Sequence, residues 1–106
     1  MTLAILLHHL SQNDMTLKED EFWKPVITTL QILDGEDDIV CITFDAEGDW
    51  EALGNLDIDD DDLEAVSVED IRNLDPSVDT MPDIAPGQSV IRLSKGSPWT
   101  IAEEEE

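Results

Sequence analysis

Positive charge is scarce in this chain of 106 residues. Five lysines and arginines stand against 27 aspartates and glutamates, which gives a formal net charge of −22 at pH 7. Nucleic-acid binding needs lysine and arginine to neutralise phosphates, and anionic membrane surfaces attract the same residues. The composition therefore predicts no direct nucleic-acid binding and no membrane binding. A strongly basic protein is the partner that such a field attracts.

Cysteine and histidine are nearly absent. Cys41 is the only cysteine, which excludes an internal disulfide and a cysteine-based zinc site. It lies in the apolar run of residues 39–44, and this setting predicts a buried thiol that packs as a small hydrophobic group. The two histidines, His8 and His9, are adjacent, so their rings point in different directions on a helix or a strand. Shared ligation of one metal ion by the two rings is therefore not predicted.

The apolar stretch MTLAILLHHL lacks the basic region and the small-residue cleavage site of a secretory signal, and it is too short to span a bilayer. We therefore expect a cytoplasmic protein. The leucines and the isoleucine of this stretch predict either a short helix or a buried strand.

Length and composition predict one domain, since 106 residues with 41% apolar content suffice for a single modest core. Short apolar runs alternate with turn residues, which predicts an α+β domain over residues 1–102, with a mainly antiparallel sheet and a few short helices. An acidic tail follows at residues 103–106. The strands are expected near residues 39–44, 50–53, 63–66, 89–93 and 98–101, the first two forming a hairpin.

The segment before that hairpin gives mixed signals. Thr16, with Glu19 three residues later, fits a capping box and predicts a short helix from residue 17 towards residue 23. Residues 26–33 are rich in β-branched side chains but also permit a helical turn, so strand and helix both stay open.

A second helix is expected after Ser67, which is a good N-cap. Ile71 and Leu74 should face the core from this helix. Asp75–Pro76 should end it, because proline restricts the residue before it.

The densest acidic run, residues 57–62, has aspartate at alternate positions, as the opening of an EF-hand calcium loop does. The sixth position of that loop requires glycine and holds Asp62, and the twelfth requires glutamate and holds Val68. No specific metal site is therefore predicted. The run is expected to form a loop, because adjacent like charges disfavour a packed element.

Catalytic motifs are missing from the sequence. It contains no glycine-flanked serine of a strand-to-helix elbow and no glycine-rich phosphate loop. Pairs of carboxylates always occur among 27 acids, so they indicate no acid–base chemistry by themselves. We predict neither an enzyme nor a bound cofactor.

The three tryptophans divide into two groups. Trp50 and Trp99 lie in predicted strands with apolar neighbours, so we expect them in the core. Trp23 lies beside charged residues and a proline. It is the candidate for a surface anchor, since tryptophan is enriched at interface hot spots.

Four stretches between residues 39 and 100 follow the pattern of a small bacterial domain. They are GDWEALG (residues 48–54), VSVEDIRNLDPSV (66–78), IAPGQSVIR (84–92) and PWT (98–100). With the strand before them and the acidic loop between them, they resemble the immunity-protein-like domains of bacterial polymorphic-toxin systems. The chain departs from that pattern at Ala85, where a leucine is common, and in DAEGDW, where glycine and tryptophan are usually adjacent.

The resemblance implies a non-catalytic α+β domain that binds and neutralises a cognate toxin. The charge is compatible with this, since toxins that cleave nucleic acid are generally basic. We expect acidic contact residues and one aromatic anchor: Asp57, Asp59, Asp60, Asp61, Asp62, Glu64 and Trp23.

Two alternatives stay open. One is a DNA mimic of phage or mobile-element origin, whose ordered carboxylates imitate the spacing of phosphates. The other is an acidic domain whose charges form only a solvated surface.

Overall fold

The computed structural model describes residues 14–102, which form a six-stranded mixed sheet. The strands are β1 (Pro25–Thr29), β2 (Cys41–Phe44), β3 (Trp50–Leu53), β4 (Leu63–Ser67), β5 (Gln88–Ile91) and β6 (Thr100–Ile101). Within this range there are also two α-helices, α1 (Leu30–Leu33) and α2 (Val68–Leu74), and three 3-10 turns, Leu17–Glu19, Asp60–Asp62 and Pro76–Thr80. The predicted α+β class is confirmed.

Some predictions fall on other parts of the chain. The helix or strand expected within residues 1–10, both histidines and the acidic tail at residues 103–106 lie outside the described residues. In the described part of the chain, no helix is long and apolar enough to cross a membrane.

The strand order is β4-β1-β3-β2-β5-β6. Four of the five pairings are antiparallel, as predicted, whereas β1 and β3 run parallel, with Val26 opposite Trp50. Residues 26–33 contain both of the structures left open by the sequence, since β1 leads directly into α1. Thr29 ends the strand, and its Oγ1 accepts a hydrogen bond from the Ile32 backbone N over 3.1 Å. One residue thus ends β1 and caps α1.

The predicted hairpin is confirmed. β2 and β3 pair with Phe44 opposite Trp50, and the two rings stack with their centroids 4.3 Å apart. β2 begins at Cys41 rather than at residue 39. Trp50 and Trp99 are both buried, as expected.

The predicted helix after Thr16 is shorter than expected. Only the 3-10 turn Leu17–Glu19 forms, with Glu19 Oε1 accepting a hydrogen bond from the Thr16 backbone N over 3.0 Å. The next residue, Asp20, is extended and accepts a hydrogen bond from Trp50 Nε1 over 2.8 Å. This contact holds the chain against the hairpin, so the helix does not continue towards residue 23.

The helix after Ser67 is confirmed as α2, but one of its core residues is not. Ser67 and Asp70 form a capping box, and Ile71 is fully buried. Leu74 is 38% exposed, so its predicted place in the core is wrong. At about 100° per residue, Val68, Ile71 and Asp75 lie together on the buried side, and Leu74 falls beyond its edge.

Within residues 14–102, α2 and the 3-10 turns Leu17–Glu19 and Pro76–Thr80 pack against the same face of the sheet. Ile42 and Val90 of the strands belong to the same core as Ile71 of α2. The alternate strand residues form the opposite face, called here the outer face, and most of them are half-exposed. Cys41 lies on the outer face and is half-buried. The prediction of a buried thiol is therefore wrong, because strand side chains alternate between the two faces and Cys41 is on the outer one.

Candidate functional site

The predicted contact residues lie at the surface, but in two separate places. β4 begins at Leu63, directly after the acidic loop (residues 57–62), and ends at Ser67 beside Pro25 of β1. Trp23 precedes Pro25, at that second end. Four residue steps of about 3.3 Å, or roughly 13 Å, separate the two ends of this ladder. The acidic loop and Trp23 therefore do not form one continuous patch.

The acidic loop is more ordered than the expected irregular loop. It ends in the 3-10 turn Asp60–Asp62, where Asp62 Oδ2 accepts hydrogen bonds from the Asp59 backbone N over 3.2 Å and from Gln31 Nε2 over 3.3 Å. The remaining predicted acidic residues are exposed: Asp57, Asp59, Asp60, Asp61 and Glu64.

Trp23 belongs to a tight turn that presents two aromatic rings to solvent. The turn, called here the aromatic turn (residues 21–24), is closed by a 3.0 Å hydrogen bond from the Lys24 backbone N to the Glu21 carbonyl. Phe22 is 63% exposed and Trp23 60% exposed. The other three aromatic residues of the chain are buried, namely Phe44, Trp50 and Trp99. Two adjacent exposed rings on a folded domain favour an interaction site.

The start of α2 holds this turn in place. The backbone N of Glu69 donates to the Phe22 carbonyl over 3.0 Å, and the backbone N of Val68 donates to the Lys24 carbonyl over 2.9 Å. These two amides are in the first turn of α2, where they have no acceptor within the helix. The hydrogen bonds therefore satisfy the helix end and fix the aromatic turn together.

Lys24 fixes the turn from the other side. Its Nζ donates to the Gly48 carbonyl over 2.6 Å and lies 3.2 Å from Asp20 Oδ2. Burial by itself would raise the pKa of Asp20, but hydrogen bonds from Trp50 and the Glu21 backbone N, together with the Lys24 ammonium, outweigh it and lower that pKa. The positive charge of Lys24 is therefore largely neutralised within the protein.

Acidic residues lie in the aromatic turn and in the two segments that contact it. The hairpin turn of residues 45–49 lies next to it through Gly48, and carboxylate oxygens of Asp45, Glu47 and Asp49 lie within 4.8 Å of one another. Asp45 Oδ1 accepts the backbone N–H groups of Glu47 and Asp49, so it closes the hairpin turn. The exposed members around the aromatic turn are called here the acidic rim: Glu21, Glu47, Asp49 and Glu69.

The sequence prediction missed the acidic rim and Phe22. The residues that precede two parallel strands meet at the same end of a sheet, and β1 pairs with β3 in parallel. This pairing brings the aromatic turn, before β1, next to the hairpin turn, before β3. To predict that the acidic rim lies near Phe22, the sequence analysis would have had to identify β1 as a strand that pairs in parallel with β3.

No protein-family model, curated protein or solved structure matches this chain. The comparisons therefore give no support to the immunity-protein resemblance, which stays a hypothesis. The residues that carry it serve mainly the fold: Trp50 and Trp99 are buried, Ser67 caps α2, and Arg92 is paired with Asp75 inside the protein.

Proposed function

We propose that this protein is a non-catalytic immunity-type protein that binds a basic protein toxin and neutralises it. The observation that carries the proposal is the fixed pair of exposed rings, Phe22 and Trp23, on a turn whose neighbouring segments hold the acidic rim. A tryptophan that projects from a rigid turn is suited to act as an interface hot spot, because little conformational freedom is lost when it binds.

The chemistry of the surface favours a basic side chain of the partner. An arginine guanidinium can stack on the face of a tryptophan ring. Nearby carboxylates can then accept hydrogen bonds from the N–H groups of the guanidinium. The aromatic turn and the acidic rim offer both features. The toxin is expected to be basic where its own substrate is a nucleic acid.

The acidic loop takes a different part in this proposal. It lies at the far end of the β1–β4 ladder from Trp23, so one partner side chain cannot contact both. Its exposed charges act over a Debye length of about 8 Å at physiological salt and speed the first encounter with a basic protein. The aromatic turn then determines how long the complex lasts.

The test uses the toxin candidate encoded by the neighbouring gene. The two proteins are produced together, and the expected result is a one-to-one complex in which toxin activity is lost. Trp23→Ala should weaken this complex, whereas Leu56→Ala, at a 49% exposed leucine outside the aromatic turn, should not. Formation of no complex even at low salt contradicts the proposal. Binding to several unrelated DNA-binding enzymes, with their release from DNA, supports the DNA-mimic alternative instead.

A further inference from the structure

One long side of β4 is open. β4 is the first strand in the order of the sheet, and within residues 14–102 only β1 pairs with it. Leu63, Glu64 and Ala65 of this strand are exposed. The open side of an edge strand presents unpaired backbone N–H and C=O groups, and an extended segment of another protein can add to them as a further strand.

The register of β4 with β1 shows which backbone groups point outwards. The Val68 backbone N donates to the Lys24 carbonyl over 2.9 Å. Hydrogen-bonded pairs alternate along an antiparallel ladder, so Val66 and Val26 form the next such pair. Ala65 lies between two hydrogen-bonded pairs, and it therefore directs its backbone N–H and C=O away from β1.

Ala65 and Leu63 supply the free groups of this edge. The other outward N–H groups are taken, since the Ser67 backbone N donates to Asp70 Oδ2 over 3.1 Å and the Leu63 backbone N donates to the Asp60 carbonyl. Among the described residues, the Ala65 N–H and the carbonyls of Ala65 and Leu63 have no partner. A strand that adds here therefore finds one donor and two acceptors.

Charge determines which segment fits the edge. The chain has no lysine or arginine between residues 55 and 71. The acidic residues of this stretch lie in the acidic loop, in β4 and at the start of α2: Asp57, Asp59, Asp60, Asp61, Asp62, Glu64, Glu69 and Asp70. A second copy of the chain would bring the same charges to the edge, and like charges opposite each other destabilise strand pairing. A segment rich in lysine and arginine is the complementary occupant.

We propose that β4 binds an extended, basic segment of a partner protein as an added strand of the sheet. The inference rests on the proposed function for the source of this segment, which is the basic toxin. A segment of about five residues follows β4 for roughly 13 Å, from the acidic loop towards the aromatic turn. One extended backbone thereby connects the two surfaces that a single side chain cannot contact together.

The test uses a synthetic peptide of four lysine–valine repeats with blocked ends as its probe. Alternation of lysine and valine favours an extended strand with its charges on one face. NMR measures the exchange of the Ala65 amide hydrogen with water in the full chain. With the peptide at about ten times its dissociation constant, we expect about tenfold slower exchange at Ala65. The amide of Leu93, near the other edge of the sheet, should be unaffected.

A second peptide separates strand pairing from attraction between charges. It has the same sequence, but every backbone nitrogen is methylated, so it keeps the positive charges and has no backbone donor. This peptide should leave the exchange of the Ala65 amide unchanged at the same concentration.

Two substitutions at Ala65 test the edge from the side of the protein. Ala65→Pro removes the outward N–H and no hydrogen bond to β1, and proline is tolerated on an edge strand in this orientation. Ala65→Thr keeps the N–H and is the matched control. Fluorescence anisotropy of the labelled peptide should show about tenfold weaker binding to Ala65→Pro, as for the loss of one hydrogen bond, and unchanged binding to Ala65→Thr. Urea unfolding shows that both variants are folded.

Two results with the original protein overturn the proposal, whether or not Ala65→Pro folds. One is the absence of protection at Ala65 with the lysine–valine peptide, and the other is equal protection by the methylated peptide. Because the probe is not the toxin, these results are separate from the test of the proposed function. A toxin complex that forms without protection of Ala65 would support the proposed function and overturn only the strand addition.

Discussion

The guanidinium of Arg92 donates to the carboxylate of Asp75 over 2.6 Å, and their side chains are 0% and 7% exposed. Arg92 follows β5, and Asp75 follows the last residue of α2, so the pair joins the sheet to the helix that covers it. The guanidinium also donates to the Ile39 carbonyl over 2.9 Å and to Ser77 Oγ over 2.8 Å. The Trp99 ring covers it, with Arg92 Cζ 4.2 Å from the ring centroid. All the polar contacts of this buried charge are therefore made within the protein.

Removal of Arg92 should destabilise the protein strongly. Arg92→Met leaves the Asp75 carboxylate buried without its counter-charge, which costs about 3–5 kcal/mol of unfolding free energy. The double variant Arg92→Met with Asp75→Leu removes both charges and should cost less. Urea denaturation measures the unfolding free energies of the original protein, the single variant and the double variant. Arg72→Met is the control, since the pair of Arg72 with Asp79 is partly exposed and its loss should matter far less. Equal losses from the Arg92 and Arg72 variants would contradict this prediction.

The same pair should make stability depend on pH in the acid range. Burial by itself would raise the pKa of Asp75, but hydrogen bonds from Ser77 and the Arg92 guanidinium outweigh it and hold the pKa below its ordinary value of 3.8. A carboxyl whose pKa is lower in the folded state stabilises the protein above the unfolded pKa. This contribution is lost as the pH falls through the folded pKa.

Asp75→Asn removes that titration and provides the measurement. At pH 5 to 7 the variant should be less stable than the original protein. The difference in unfolding free energy should narrow as the pH falls below about 4, since the original protein then loses the contribution of the charged carboxylate. A difference that stays constant from pH 5 to pH 2.5 would show that Asp75 does not titrate in this way.

Local sequence signals were sufficient for some parts of the fold. The Ser67 cap of α2, the β2–β3 hairpin and the buried Trp50 and Trp99 each depend on residues within a short span or on plain hydrophobicity. Strand β1 did not follow from such signals, because its five residues share a β-branched stretch with α1. Its parallel partner β3 begins more than twenty residues later in the chain. The candidate site depends on this long-range pairing, which explains why only Trp23, the acidic loop and the neighbouring Glu64 were predicted.

A side chain at Gly54 should displace the Asp37 carboxylate. A Cβ at this position would overlap the Asp37 carboxylate, which accepts the backbone N–H groups of Asn55 and Leu56, each over 3.0 Å. Gly54→Ala therefore displaces Asp37 and frees both amides at the start of the segment that leads into the acidic loop. We expect a loss of about 1 kcal/mol, mainly from the two hydrogen bonds that Asp37 gives up, and faster hydrogen exchange at Asn55 and Leu56.

Asp37→Ala is the companion variant for Gly54. It removes the same two hydrogen bonds without the overlap, so it should accelerate exchange at the same amides. The combination of both changes should cost less than the sum of the two. Unchanged hydrogen exchange at Asn55 and Leu56 in Gly54→Ala would show that the Asp37 carboxylate still accepts both hydrogen bonds, which contradicts the prediction.

The proposed function predicts different kinetic roles for the two acidic surfaces. Two triple variants remove the same number of negative charges: Glu21→Gln, Glu47→Gln and Glu69→Gln at the aromatic turn, or Asp57→Asn, Asp60→Asn and Asp61→Asn in the acidic loop. All six residues are exposed, and none of the six carboxylates closes a turn or a cap in the described structure. Both triples should slow association with the basic partner at low salt, and the slowing should fade at high salt.

Dissociation should distinguish the two surfaces. Only the aromatic-turn triple should shorten the lifetime of the complex, because its residues lie in the aromatic turn or in the segments that contact it. Trp23→Ala should speed dissociation most, by roughly 30-fold for a hot spot of about 2 kcal/mol, and should leave the salt dependence of association nearly unchanged. Surface-immobilised toxin and stopped-flow mixing give the two rates. If the acidic-loop triple speeds dissociation and Trp23→Ala does not, the partner is held at the acidic loop and the aromatic turn is not its anchor.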